Sequence, residues 1–232
     1  MTFLKSIALF ILFCVFQSAW SQNMNDAGLW TGLSIGLDLG KGLNGEIAPQ
    51  IRFDENMSSV SGVFSDFGIE KKIHDNLDLS IEYRGGLRRN DDFYESRHRF
   101  SSGLTAKTDI KDFRLAYTIR YQLSPRLNGG EGDVDLKNVL RQKVGVKYSG
   151  IKKYALSTSF EVFMDGEETG FSNWRWQGSV ERKFSKRKFL SLGYLIQKNL
   201  YDLDMDFVVV VSYKYELKSF QKSKDEEPIP QP

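Results

Sequence analysis

The sequence predicts an all-β fold, an up-and-down antiparallel transmembrane β-barrel of about 10–12 strands. Three observations predict it: an export signal at the start, a two-residue hydrophobic period through nearly all the rest, and connections that alternate between short and long. Composition agrees, because 13% aromatic residues with 17 Phe and 10 Tyr against only 5 Pro favour strands. A net charge of +2 with 27% charged residues gives no general polyanion-binding signature.

Residues 1–21 read as a signal peptide. Lys5 supplies the positive n-region, Ile7 to Phe16 the apolar run, and Ala19-Trp20-Ser21 the small residues that a signal peptidase reads, so cleavage is expected before Gln22. The apolar run is nearer about 10 residues than the 18 or more that a spanning helix needs. Cys14 lies inside that run behind bulky Phe13, which speaks against lipid attachment. It is the single cysteine, so the exported product has no disulfide and relies on packing and a continuous hydrogen-bond ladder.

Residues 22–218 are assigned to the barrel, and 219–232, polar and Pro-containing, to a disordered tail. Eleven segments carry the period of two. They are Thr31 to Gly40, Leu43 to Asp54, Val60 to Lys72, Leu77 to Arg89, Tyr94 to Lys107 and Phe113 to Leu123, then Val139 to Ser149, Tyr154 to Met164, Ser172 to Phe184, Phe189 to Lys198 and Met205 to Leu217. Most are longer than the ordinary strand of about 5 to 6 residues, and a tilted strand crosses a bilayer in about 9 to 11. Lys41-Gly42, 73–76, 108–112, 150–153 and 185–188 are tight connections; 55–59, 90–93, 124–138, 165–171 and 199–204 are longer. Ten membrane strands counted from Leu43 put both termini on the periplasmic side, with the Gly-rich first segment a lead-in strand or an extra stave. Twelve require a short strand inside 124–138. Many such barrels end on an aromatic residue read by the assembly machinery; here the role falls to Tyr213, Tyr215 or Phe220.

Phe113 to Leu123 shows how the faces divide. Phe113, Leu115, Tyr117, Ile119, Tyr121 and Leu123 alternate with Arg114, Ala116, Thr118, Arg120 and Gln122. Leu77 to Arg88, Tyr154 to Met164 and, less cleanly, Phe207 to Leu217 repeat the pattern. A soluble barrel would bury the apolar face and a membrane barrel would turn it to lipid, and periodicity alone fits both. Two features favour lipid. Aromatics are expected near strand ends (Tyr83, Tyr121, Trp174 with Trp176, Tyr213 with Tyr215), and the polar face is rich in Arg rather than flexible Lys. The charges then assigned inward are Glu46, Asp66, Glu70, Glu82, Glu161 and Glu181 against Arg52, Arg84, Arg97, Arg99, Arg114, Arg120, Arg141, Lys143 and Arg175. In a barrel this narrow they interlock, giving an ion-paired, largely plugged lumen whose base excess favours anions.

The order of these motifs resembles DUF2490, a family of bacterial outer-membrane barrels without a known function. Trp30, Glu46 and Arg52 are followed by "YRGGLRRN" (Tyr83 to Asn90), "RHRF" (Arg97 to Phe100), "IRYQ" (Ile119 to Gln122), "LRQKVGVKY" (Leu140 to Tyr148), "EVF" (Glu161 to Phe163), Arg175 and "LGY" (Leu192 to Tyr194). The resemblance implies an outer-membrane location in a Gram-negative cell and a single-chain barrel; it brings no activity with it. His98, on the lipid parity, is expected at a membrane interface.

Other motifs weigh less. Gly36 to Gly42 is one residue short of a phosphate loop and has Gly42 where Ser or Thr would bind magnesium. Gly129 to Asp135 holds Glu131, Asp133 and Asp135, a surface loop first and a weak calcium ligand set second. His74 and His98 lie on separate segments with no cysteine to help, so no zinc site is expected. His98 with Ser102 on the lipid face is a candidate dyad for an embedded lipid hydrolase, while His74 sits at the wrong end for an omptin-like protease. Glu82 with Glu161 as an acid/base pair explains less than a salt-bridged lumen does. Phe184 to Phe189 is a basic hairpin turn, and no exposed basic aromatic platform suggests nucleic acid.

The resulting expectation is a structural or ligand-binding barrel, not an enzyme, monomeric, with no cofactor and an unidentified ligand. Its partners would be outer-membrane lipid and, during biogenesis, the barrel-assembly machinery, with loops 124–138 and 165–171 as contact surfaces. A narrow channel for small, anionic solutes is the alternative, and a hydrolase the remote one.

Overall fold

Eleven strands make up the described residues, 27–90, 93–127, 134–166, 170–201 and 205–217 of a computed structural model. The signal peptide, loop residues Glu131 and Asp133, and Phe220 with the tail lie outside them, as does the side chain of Asp135. The strands are β1 (Ala27–Gly40), β2 (Leu43–Asp54), β3 (Ser59–His74), β4 (Leu77–Asn90), β5 (Phe93–Ile110), β6 (Phe113–Leu127), β7 (Val134–Ile151), β8 (Tyr154–Asp165), β9 (Gly170–Ser185), β10 (Lys188–Asn199) and β11 (Met205–Glu216). The shortest have 12 residues, about 40 Å of chain at ~3.3 Å per residue, and a tilt of about 40° turns that into roughly 30 Å of height.

Each strand pairs with its sequence neighbours, and β1 meets β11 to close the barrel. Hairpins make consecutive strands antiparallel, so an odd number forces the closing pair to run the same way. β1 and β11 do so, from Ala27↔Phe207 to Gly36↔Glu216, and the Leu217 N–H continues the seam to the Gly36 carbonyl at 2.8 Å. The all-antiparallel expectation is corrected at this one seam. The Gly-rich first segment is not a lead-in but the extra stave, the eleventh beside the ten counted from Leu43, and no twelfth strand appears among the described residues. With eleven staves Ala27 lies at the long-loop rim and Leu217 at the tight-turn rim, not both at one end. The turn between β1 and β2 is tight because Gly40, Lys41 and Gly42 all take positive φ (83°, 51° and 70°), the conformation a two-residue hairpin demands.

Burial is inverted relative to a water-soluble barrel. Ile81 is 64% exposed and Leu192 57%, whereas Asp78 is 4%, Arg141 7% and Glu161 7% exposed. Phe113, Leu115, Tyr117, Ile119 and Tyr121 all face out while Thr118 is buried, as the alternation of β6 requires. Each large apolar side chain left in water forgoes about 1.5–3 kcal/mol, so a wall of this kind is matched to acyl chains.

Two details differ from expectation. Tyr83 is not at a strand end: it lies midway along β4, between the rings of Phe67 (6.3 Å) and Phe100 (4.9 Å) on neighbouring strands. Phe207, read as lipid-facing, is 9% exposed and lies beside Tyr194, ring centroids 6.3 Å apart. The aromatic edge is clearer at the tight-turn end, where Phe113 and Tyr148 pack at 4.8 Å.

Candidate functional site

Alternation turns the even residues of β2, β3, β4 and β6 and the odd residues of β5, β7, β8 and β9 into the lumen. Their side chains meet at mid-height. Arg84 donates to both oxygens of Asp66 across the β3–β4 pair, Nε at 2.5 Å and Nη2 at 2.6 Å. Arg99 reaches Glu82 at 3.4 Å and Asp66 at 4.0 Å, and Arg120 reaches the other Glu82 oxygen at 3.1 Å. On the opposite side Arg141 grips Glu161 with two bonds of 2.9 Å and donates to Gln122 at 3.1 Å. Arg175 comes within 3.8 Å of Glu161 and donates to the Gln197 side-chain oxygen at 3.0 Å and 2.5 Å.

A second set of contacts ties this band together. Phe64 lies 5.6 Å from the Arg84 guanidinium and 4.8 Å from that of Arg52; Arg52 lies 3.8 Å over the Trp30 ring. Trp30 in turn lies 5.6 Å from Arg175, and Phe163 stands between Arg175 (5.2 Å) and Arg141 (4.7 Å). Four guanidiniums and three rings therefore alternate across the interior. Ring faces carry negative partial charge, which lets like-charged guanidiniums sit near one another. Phe64 fits because β4 has glycine beneath it: a Cβ on Gly86 would stand 2.7 Å from Phe64 and 2.2 Å from the Val63 carbonyl.

The band separates two hollows. The one toward the long loops, about 770 Å³, is lined by the ladder and by Arg88, Arg97 and Arg99, nine Arg or Lys side chains against three Asp. The one toward the tight turns, about 900 Å³, is balanced, with Glu46, Glu70 and Glu82 among its acids and Arg120 and Lys143 among its bases. Within the band itself, seven cations (Arg52, Arg84, Arg99, Arg120, Arg141, Lys143, Arg175) lie in electrostatic reach of four carboxylates, Asp66, Glu82, Glu161 and, beside Arg175, Asp206.

Most of the sequence-assigned lumen residues meet there, with Arg114, Glu46, Arg97 and Glu181 lying apart. Arg114 pairs with Asp109 at 2.7 Å where both are more than half exposed, so it belongs to the tight-turn rim and not to the lumen cluster. Glu46 accepts from Ser34 at 2.8 Å, away from the arginines. Arg97 pairs with Glu95 at 2.7 Å near the long loops. Glu181 pairs with Lys147 at 3.0 Å. At the same rim as Arg114, the Lys72 ammonium 2.8 Å from Asp75 holds that carboxyl below the ordinary carboxylate range.

Glu82 and Glu161 are each committed to two arginines, which leaves no free acid/base pair. His98 does not approach Ser102. Four residues of strand separate them by about 13 Å, and the imidazole instead bonds Ser96 at 3.0 Å and the Tyr83 hydroxyl at 2.8 Å on the outer wall. His74 closes β3, its Nδ1 3.5 Å from the Asn76 N–H, and no group of three metal-ligating side chains occurs among the described residues.

The inward aromatics Phe64 and Phe163 escaped the sequence reading, which looked for charge on the luminal parity. The signal was present: Phe64 shares parity with Asp66, and Phe163 follows Glu161 by two.

None of the curated proteins matches this sequence. Among solved structures, the NanC porin in a rhombohedral crystal form superposes with a TM-score of 0.50 at 11% identity, over 74% of this chain and 85% of its own. The β domain of the Bordetella autotransporter Brka gives 0.46 at 10% identity, over 76% and 84%. At such identities likeness extends to the fold alone, a porin-like outer-membrane barrel. The family model described as protein of unknown function (DUF2490) matches residues 27–203, from the first residue of β1 to the last long loop, and the chain belongs to that family.

Proposed function

We propose that the chain is an outer-membrane β-barrel, exported by its N-terminal signal, whose ion-paired lumen is largely plugged and serves binding or structure rather than open passage. The carrying observation is the inversion: Arg141 and Glu161 buried inside a wall of exposed Ile, Leu, Val and Phe. The bridges from Arg84 to Asp66 and from Arg141 to Glu161 support a plug, since they occupy mid-height between the two hollows. Glu82, Arg99, Arg120 and Arg175 complete it in this reading, with Arg52 held beside it on Trp30. Acyl chains are the expected surroundings, the assembly machinery the transient partner, and a monomer the state that needs no further contact.

Fractionation followed by comparing gel mobility of boiled and unboiled protein tests the barrel. The expected result is recovery in the outer membrane and a faster unboiled band; free solubility without detergent would overturn it.

A second reading, a narrow channel for small anionic solutes, draws on the nine bases against three acids of the long-loop hollow. Planar-bilayer recordings separate the two: the plugged barrel passes little current, the channel shows small anion-selective steps, and a wide cation-selective pore contradicts both.

A further inference from the structure

We infer that the hollow on the long-loop side is a binding site for a small, soluble, multivalent oxyanion bearing carboxylate or phosphate groups. The inference rests on the barrel reading above and adds the ligand class.

Charge balance is the first ground. Seven cations face four carboxylates in and beside the mid-height band, an excess of three positive charges inside a closed wall. Burying cations without partners is strongly unfavourable, and an anion held among them offsets that cost.

Donor geometry is the second ground. Among the described residues the Arg52 side chain makes one hydrogen bond, from Nε to the Gln50 side-chain oxygen at 2.9 Å, which leaves its two terminal nitrogens without an acceptor there. Trp30 at 3.8 Å and Phe64 at 4.8 Å hold that guanidinium flat, which presents a fixed fork. Such forks match carboxylate and phosphate oxygens bidentately. Arg88 lines the same hollow without an ion pair among the described residues. Nε of Arg97 and Nε of Arg99 are buried donors with no acceptor among the described residues. Arg175 lies 5.6 Å from the Trp30 ring and 3.8 Å from the Glu161 carboxylate.

Size and access are the third. About 770 Å³ lies within the range of small-molecule sites, roughly 300–1,000 Å³. The ion-paired band forms its floor, so a solute entering from the long-loop side stops at the arginines. Arg52 and Arg175, both beside the Trp30 ring, then flank it.

The test is calorimetric titration of the purified mature chain in non-ionic detergent at low salt. The probes are citrate, inorganic phosphate and, as a neutral control, glucose. Saturable binding of citrate or phosphate and none of glucose is expected, and whichever binds tighter assigns carboxylate or phosphate as the preferred group. Arg52→Gln and Arg175→Gln should each weaken binding about tenfold or more, the loss of charge-assisted hydrogen bonds, while Arg114→Gln at the opposite rim leaves it unchanged. No saturable binding of either anion up to about 10 mM overturns the inference. So does equal weakening by Arg52→Gln and Arg114→Gln, which would mean a diffuse field in place of a site. Heat-dependent gel mobility of each protein reports the barrel separately, so a folded barrel that binds nothing defeats the ligand assignment alone. The wild-type titration decides even where one variant does not fold.

Discussion

Replacing Glu161 with Gln should cost the barrel a large share of its stability. The carboxylate is 7% exposed, receives two 2.9 Å bonds from Arg141, and lies 3.8 Å from Arg175. The amide keeps the volume and one acceptor but removes the charge shared by the two guanidiniums on either side of Phe163. Breaking one side of a buried pair costs about 3–5 kcal/mol. With a urea dependence of about 2–3 kcal/mol per molar, the unfolding midpoint should fall by roughly 1–2 M. The assay is urea unfolding in detergent followed by tryptophan emission, with Asp109→Asn as the control. That residue holds Arg114 in an exposed pair, which solvent screening leaves weak. A Glu161→Gln midpoint indistinguishable from that of the control would refute the claim that this carboxylate organises the band.

Three further outcomes follow from the same geometry. Gly86→Ala should reduce the yield of the fast-migrating folded band severely, because its Cβ would meet the Val63 carbonyl at 2.2 Å; a normal yield would mean that β3 and β4 can separate there at little cost. Leu192→Arg, on the outer wall at 57% exposure, should destabilise the barrel in lipid by about 2–4 kcal/mol if it lies near the bilayer midplane, read as a lower urea midpoint in vesicles. An unchanged midpoint would place water, not lipid, against β10. Fatty-acid release from phospholipid micelles should be the same for wild type, His98→Ala and Ser102→Ala, since His98 is engaged by Ser96 and Tyr83 and lies away from Ser102; activity abolished by both substitutions would revive the hydrolase.

The fold was legible because its signal is local. Strand parity is set residue by residue, and β2 begins and ends where the alternation does, Leu43 to Asp54. β1 was the weakest reading, since glycines at 28, 32, 36 and 40 blur a hydrophobic count, yet they all share one parity with Trp30 while Leu29, Leu33, Ile35 and Leu37 share the other. Position along a strand was harder to read. Parity put Arg114 on the correct side, but only the register Asp109↔Arg114 shows that it sits beside a turn. Cross-strand contacts were harder still. That Ser96 rather than Ser102 meets His98, or that Arg52 lies on Trp30, depends on the pairing of Trp30 with Arg52 and on rotamers that no spacing reveals. The odd stave count was likewise a property of closure, invisible to any single segment.

That seam between first and last staves shapes how the cylinder is made and opened. Same-direction ladders are slightly weaker per residue than opposed ones, and no hairpin connects β1 to β11. It is the line along which the wall would unzip first under force, and the join completed last when the protein inserts. The two edges are also separated by the full thickness of the sleeve at their outer ends, Ala27 at one mouth and Leu217 at the other. A short peptide cannot splice them into a ring, so a permuted version would have to thread its linker through the bore.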